Sequence, residues 1–106
     1  MFDNRLVIAI LAVLITLNVN AEPSTERQVE LAYLLKHDCG SCHGMRLEGG
    51  LGPALKPEQL QGFTVEAVAA TILQGRAGTP MPPWHPFLSG QEARWVATQL
   101  KMGTVP

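Results

Sequence analysis

The feature that most constrains this chain is the five-residue run Cys39-Gly40-Ser41-Cys42-His43. The sequence has two cysteines, both within this run, so no disulfide can join distant segments of one chain. Two thiols spaced i, i+3 and followed directly by histidine form the attachment pattern for a covalent haem. Over about one helical turn, both sulfurs can reach the vinyl groups of a porphyrin, and the histidine then lies under the iron. The motif predicts thioether bonds from Cys39 and Cys42 and axial ligation by His43.

Two other uses of a Cys-x-x-Cys pair fit the sequence less well. A redox dithiol of the thioredoxin kind follows a β-strand, and no strand pattern precedes Cys39. A structural zinc site needs a second ligand pair, but the remaining histidines, His37 and His85, are isolated from each other in the chain. The sequence therefore favours haem attachment.

The N-terminal segment has the pattern of an export signal. An apolar run of twelve residues, Leu6 to Leu17, would span roughly 18 Å as a helix, too short for a hydrocarbon core of about 30 Å. Ala21 precedes a polar stretch that begins at Glu22. We predict a signal peptide over residues 1–21, a haem domain over 22–106 and a periplasmic location. The alternative is an uncleaved N-terminal anchor.

The mature segment has the composition of a loop-rich helical domain. All ten glycines and all eight prolines follow the apolar run. A first helix is predicted from Thr25, where Thr25 and Gln28 have capping-box spacing, to His37 or Asp38.

Three further helical segments are predicted after the motif. A short turn of helix covers Pro57–Leu60, and a longer helix begins at Thr64 and ends at Gly75 in the left-handed conformation. The last helix begins at Ser89, with Glu92 completing a capping box.

The iron needs a second axial ligand from elsewhere in the chain. The candidates carry a thioether or an imidazole: Met45, Met81, Met102, His37 and His85. Met81 lies in an irregular loop between Pro80 and Pro82, and prolines lower the entropy lost when such a loop is ordered. We predict Met81 as the ligand, with His85 as the alternative.

With these residues, the sequence resembles the small class I cytochromes c over its whole mature length. The resemblance rests on the Cys39–His43 motif, the run Gly52-Pro53-Ala54-Leu55, the pair Gly75-Arg76, the run Met81-Pro82-Pro83-Trp84 and a final amphipathic helix. In detail it is similar to the NirC-type cytochromes, which are encoded beside the haem-d-containing nitrite reductase of denitrifying bacteria. The resemblance implies an all-α class I cytochrome c fold of three to four helices wrapped around one covalently attached haem.

The resemblance also implies roles for single residues. Pro53 would accept a hydrogen bond from Nδ1–H of His43, Leu55 would pack on the haem, and Arg76 would pair with a propionate. The alternatives are an ordinary turn proline and a solvated surface arginine. One departure is Gln99, where class I cytochromes usually carry an aromatic residue; the aromatic here is Trp95, one turn earlier.

These predictions favour an electron carrier over an enzyme. An iron with histidine and methionine on both faces has no open position for substrate. The expected partners are a quinol-oxidising complex upstream and nitrite reductase or another periplasmic redox protein downstream. With a net charge of −1, nothing in the sequence suggests the basic face of a nucleic-acid-binding protein. We expect a monomer that is free of the membrane after signal cleavage.

Two alternative functions stay open at this point. One is an accessory role in maturation of the nitrite reductase haem-d cofactor, and the other is a five-coordinate haem enzyme or ligand-binding protein.

Overall fold

The computed structural model describes residues 4–5 and 22–105. The predicted signal peptide lies outside the described residues, apart from residues 4–5. Residues 22–105 form helices joined by loops and contain no strand, which confirms the predicted all-α fold. Within the described ranges, no helix is long and apolar enough to cross a membrane.

Helix α1 (Thr25–Leu34) begins one residue earlier than the predicted capping box allows. The hydroxyl of Ser24 accepts from the Arg27 amide at 3.2 Å, whereas Thr25 is already helical. The side chain of Gln28 donates to the carbonyl of Pro23 at 2.9 Å instead of returning to a threonine. The predicted Thr25–Gln28 box is therefore wrong, because the extended backbone of Ser24 places its side chain over the first turn.

The first helix was predicted to end at His37 or Asp38, and this prediction is wrong. It continues through a π-helical turn (Leu35–Cys39) directly into α2 (Gly40–His43). The amide of Gly40 donates to the carbonyl of Leu35, five residues back, so the wider turn keeps the backbone paired. The helix ends only at Gly44, where φ is +92°. The motif is thus on the same continuous helical rod as α1.

Three helices follow: α3 (Pro57–Leu60), α4 (Val65–Gln74) and α5 (Gly90–Met102). Their predicted starts are confirmed: Thr64 caps α4 through the Ala67 amide at 3.0 Å, and Ser89 and Glu92 form a complete capping box. Gly75 has the predicted positive φ of +66°, but its ψ of −168° is not left-handed helical, because the chain leaves α4 in an extended direction.

The core lies where α1 and α4 pack on α5. Ala93 and Ala97 of α5 are fully buried, and such small residues allow close helix approach. Trp95 packs against this core from the side and is only partly buried. The aromatic residue displaced by one turn therefore still contributes to the helix contact. The buried apolar residues are Leu31, Leu35, Leu47, Leu60, Ala69, Ile72, Leu88, Ala93, Val96, Ala97 and Leu100.

Candidate haem-binding site

The α1–α2 rod presents the two cysteines one helical turn apart, and both are partly buried and unpaired. Burial, together with the neighbouring Asp38 carboxylate, raises the pKa of the Cys39 thiol to about 11. A redox-active Cys-x-x-Cys pair needs a thiol whose pKa is lowered, so this environment disfavours the dithiol alternative.

The ring of His43 is held from two directions. Its Nδ1 lies 2.7 Å from the carbonyl oxygen of Pro53, the acceptor that the resemblance implies. Gly52 packs directly against the ring: a Cβ at that position would lie 2.8 Å from Nδ1 and from Cε1. With Nδ1 engaged by Pro53, Nε2 is the nitrogen free to coordinate a metal.

The loop after His43 is bonded back onto the motif backbone. The amide of Gly49 donates to the carbonyl of His43, and the amide of Gly52 donates to the carbonyl of Cys42, each at 2.8 Å. The Leu55 amide donates to Leu47 at 2.9 Å, and the Leu47 side chain is buried with φ of +58°. These contacts place Pro53 beside the ring without help from distant elements.

Met81 lies in a loop that runs from the end of α4 back along the same helix. The amide of Trp84 donates to the carbonyl of Ile72 at 3.0 Å, and that of His85 donates to Leu73 at 3.2 Å. Both acceptors belong to the last turns of α4, whose carbonyls would otherwise lack partners. The partly buried Met81 side chain packs against the core, while His85 is exposed.

The other ligand candidates lie on the surface. Met45 and Met102 are 56% and 65% exposed. The exposed ring of His37 stacks on Tyr33, with centroids 4.2 Å apart. Among the five candidates, Met81 alone packs against the core cluster.

The two remaining predicted contacts have different surroundings. Leu55 is partly buried and packs against the core cluster, as a residue that also covers a ring would. The side chain of Arg76 is exposed, and the ion pairs within residues 22–105 do not include it, so its guanidinium is available for a propionate.

The donor set fits a haem better than a bare metal ion. Within the described ranges no three side chains of His, Cys, Asp or Glu gather as a metal site. A cavity of about 510 Å³ is lined by residues such as Met45, Leu47 and Leu55, and by none of the predicted thioether or axial residues. The fit therefore rests on the cysteine pair, the oriented imidazole and the methionine loop.

Two glycines were assigned no role at the site from the sequence. Gly52 and Gly75 each lie against a predicted axial residue so closely that a Cβ would overlap it. Both belong to runs that carry the resemblance, and Gly75 also ends a predicted helix, but a glycine at such a position has many explanations.

Comparison with known proteins gives consistent results. Residues 26–98 match the family model described as "Cytochrome C oxidase, cbb3-type, subunit III". The chain is 53% identical over 83 residues to cytochrome c55X of Pseudomonas aeruginosa, covering 78% of this chain and 70% of that protein. It is 46% identical over 90 residues to cytochrome c55X of Stutzerimonas stutzeri, covering 85% and 80%.

A solved structure is similar as well. The structure of "c-type cytochrome NirC" superimposes with a TM-score of 0.77 at 53% identity, covering 78% of this chain and 98% of that one. At this identity the likeness extends beyond topology to the sequence.

Proposed function

Because this chain belongs to the c-type cytochromes, beside NirC and cytochrome c55X, we propose that it is a periplasmic one-electron carrier with a single haem. In this proposal Cys39 and Cys42 form the thioethers, and His43 and Met81 are the axial ligands. The signal segment over residues 1–21 directs export and leaves the haem domain over 22–106.

The observation that carries this proposal is the 2.7 Å contact between Nδ1 of His43 and the carbonyl of Pro53. It orients the imidazole, and it makes Nε2 a better donor because Nδ1–H is hydrogen-bonded. A haem bound there supplies a one-electron iron couple, and a thioether on the other face favours the ferrous state. A ring held rigidly changes its geometry little when one electron is added or removed.

The loop around Met81 supports electron transfer over catalysis. The C-terminal end of this loop is bonded to α4 through Trp84 and His85. The side chain of Met81 is packed against the core rather than free. A ligand held in this way fills the second axial position and leaves no place for substrate. A five-coordinate haem enzyme would need that position open.

The proposed electron acceptor is the haem-d-containing nitrite reductase, and the proposed donor is a quinol-oxidising complex. The resemblance to NirC-type cytochromes supports this pairing. Electron donation and a role in haem-d maturation make opposite kinetic predictions, because only a donor must oxidise rapidly when it meets the finished reductase.

The surface near the methionine loop is poor in charge, and the exposed charges that follow Met45, on Arg46 and Glu48, have opposite signs. Met45 and Leu51 are 56% and 76% exposed, and no charged residue occurs between Arg76 and Glu92. Leu47, which the sequence would also allow at this rim, is buried instead. We expect a small apolar docking patch, of less than about 1,200 Å² as in other redox encounters.

The experiment that tests this proposal is stopped-flow mixing of the ferrous protein with purified nitrite reductase. Rapid oxidation is expected, and its rate constant should change only a few-fold between low and high ionic strength, because charge steering is weak. Absence of oxidation would favour the maturation role. A drop of about a hundredfold with salt would show that charge steering dominates.

A matched pair of variants locates the patch. Met45→Glu places a charge beside the motif and should slow oxidation without altering the visible spectrum. Met102→Glu places the same charge on an equally exposed methionine at the end of α5 and should have little effect.

A further inference from the structure

Gly75 makes the closest approach between α4 and the methionine loop. A Cβ built on Gly75 would lie 2.7 Å from the carbonyl oxygen of Met81, from the carbonyl carbon of Pro82 and from the nitrogen of Pro83. Real Cβ atoms essentially never approach other heavy atoms more closely than 3.0 Å, and ordinary contacts begin at 3.4 Å. Any side chain at position 75 therefore requires the loop to retreat by several tenths of an ångström.

The loop has no easy way to absorb such a retreat. All three atoms belong to the backbone, so no side-chain rotation removes the overlap. Pro82 and Pro83 also have fixed φ angles, which limits local adjustment. The displacement would pass directly to Met81, because the carbonyl of Met81 is itself one of the atoms in contact.

The hydrogen bonds of the loop tie Met81 to the segment that begins at Gly75. The amide of Arg76 donates to the carbonyl of Met81 at 3.2 Å. The hydroxyl of Thr79 donates to the carbonyl of Arg76 at 2.7 Å and accepts from the amide of Met81 at 3.4 Å. The loop is therefore a small closed unit that moves together with its contact at Gly75.

We propose that Gly75 is a positioning residue for the axial thioether: the absence of a side chain there lets the backbone of Met81 lie against the end of α4. The proposal rests on the proposed function, in which Met81 ligates the iron. The role proposed for Gly75 concerns Met81 and not His43, because the close contacts of Gly75 are all with the methionine loop.

The test compares Gly75→Ala with Gly78→Ala in the haem-loaded protein. The two glycines lie in the same loop and have positive φ values of +66° and +76°, but a Cβ at Gly78 meets nothing within 4 Å. Gly78→Ala therefore introduces the strain of a positive φ without the overlap. The readouts are the methionine-to-iron charge-transfer band of the ferric protein, its affinity for added imidazole and its melting temperature.

Gly75→Ala should lose most of the charge-transfer band and bind imidazole about tenfold more tightly or better, because overpacking of this size weakens the competing thioether. Gly78→Ala should keep the band and stay within about twofold of the parent affinity. An unchanged band and affinity in Gly75→Ala would overturn the proposal. So would failure of Gly75→Ala alone to accumulate as folded haem protein, since its role would then be in folding.

Two further measurements separate this proposal from the one on which it rests. If the parent protein itself lacks the band, Met81 ligation fails, and the role of Gly75 fails with it for that reason. If the parent has the band, the double variant Gly75→Ala/Met81→Ala should bind imidazole as tightly as Met81→Ala alone. An additional change in the double variant would show that Gly75 acts other than through Met81.

Discussion

The two faces of the predicted haem site are held in different ways. On the histidine face, the loop after His43 bonds to the motif backbone at Cys42 and His43, and Gly52 and Pro53 touch the ring itself. On the methionine face, the loop bonds to itself and to α4, and no hydrogen bond within residues 22–105 reaches the Met81 side chain. The histidine face is therefore held by contacts to the His43 ring itself. The methionine face is held only through the backbone on either side of Met81.

This difference predicts which axial ligand dissociates first when the protein is perturbed. The contacts of His43 all lie within ten residues of it, so they form and persist as one local unit. The position of Met81 depends on the return of Trp84 and His85 to α4 and on one close contact at Gly75. We expect perturbation to open the methionine face while the histidine face stays ligated.

The largest effect should come from removing the attachment that both faces share. Cys39→Ala/Cys42→Ala should abolish covalent haem, because no other cysteine exists to replace it. In the parent protein, acid-acetone should leave the colour on the chain, and the mass should equal residues 22–106 plus one haem. Extractable haem in the parent protein would contradict covalent attachment, and a mass that includes residues 1–21 would show that the N-terminal segment is kept.

The next largest effect should come from Met81→Ala. The haem should stay attached, the ferric spectrum should become high-spin or hydroxide-bound, and the potential should fall by on the order of 0.1 V or more because the thioether is lost. His85→Ala is the matched control and should retain the parent spectrum. The reverse pattern, with the spectrum changed only in His85→Ala, would make His85 the ligand.

A smaller effect, on the histidine face, is expected from Gly52→Ala. Its Cβ would lie 2.8 Å from the His43 ring, which should cost about 1–3 kcal/mol of stability by overpacking. The methionine charge-transfer band should survive, because the ring is still held by Pro53. Gly62→Ala, where a Cβ meets nothing within 4 Å, should melt near the parent temperature. Loss of the charge-transfer band in Gly52→Ala would contradict the conclusion that the two faces are held in different ways.

The smallest effect should come from an ion pair that involves neither His43 nor Met81. The Arg27 guanidinium and the Ser89 amide hold the pKa of the Glu92 carboxyl below its ordinary value. Since the folded pKa is below the unfolded value of about 4.3, this stabilisation is present above that pH and is lost as pH falls through the folded pKa.

Glu92→Gln should therefore lower the melting temperature by a few degrees at pH 7, with an unchanged haem spectrum. The difference from the parent should vanish on acidification below the folded pKa. The control Glu66→Gln removes the more exposed pair with Arg94 and should change the melting temperature less. A difference between Glu92→Gln and the parent that persists undiminished in acid would show that the charge of Glu92 is not responsible.

Local patterns in the sequence determined much of this protein. The Ser89–Glu92 capping box and the cap at Thr64 each depend on residues within one helical turn, so the structure contains what the sequence predicts. The Cys39–His43 spacing is equally local, and the role of these residues in haem attachment stays a prediction. Where a local pattern was ambiguous, the prediction was wrong: Ser24 and Thr25 both have capping hydroxyls, and only the backbone direction set by the fold selects Ser24.

The tertiary structure alone decided the features that join distant or unpatterned residues. No periodic pattern in the sequence indicates three of these features: the π-helical turn at Leu35–Cys39, the burial of Leu47 and the pairing of Arg27 with Glu92. The approaches of Gly52 to His43 and of Gly75 to the methionine loop arise because backbone segments pass within contact distance in three dimensions. A glycine shows in sequence only that a side chain is missing, and the fold determines which atoms take the space.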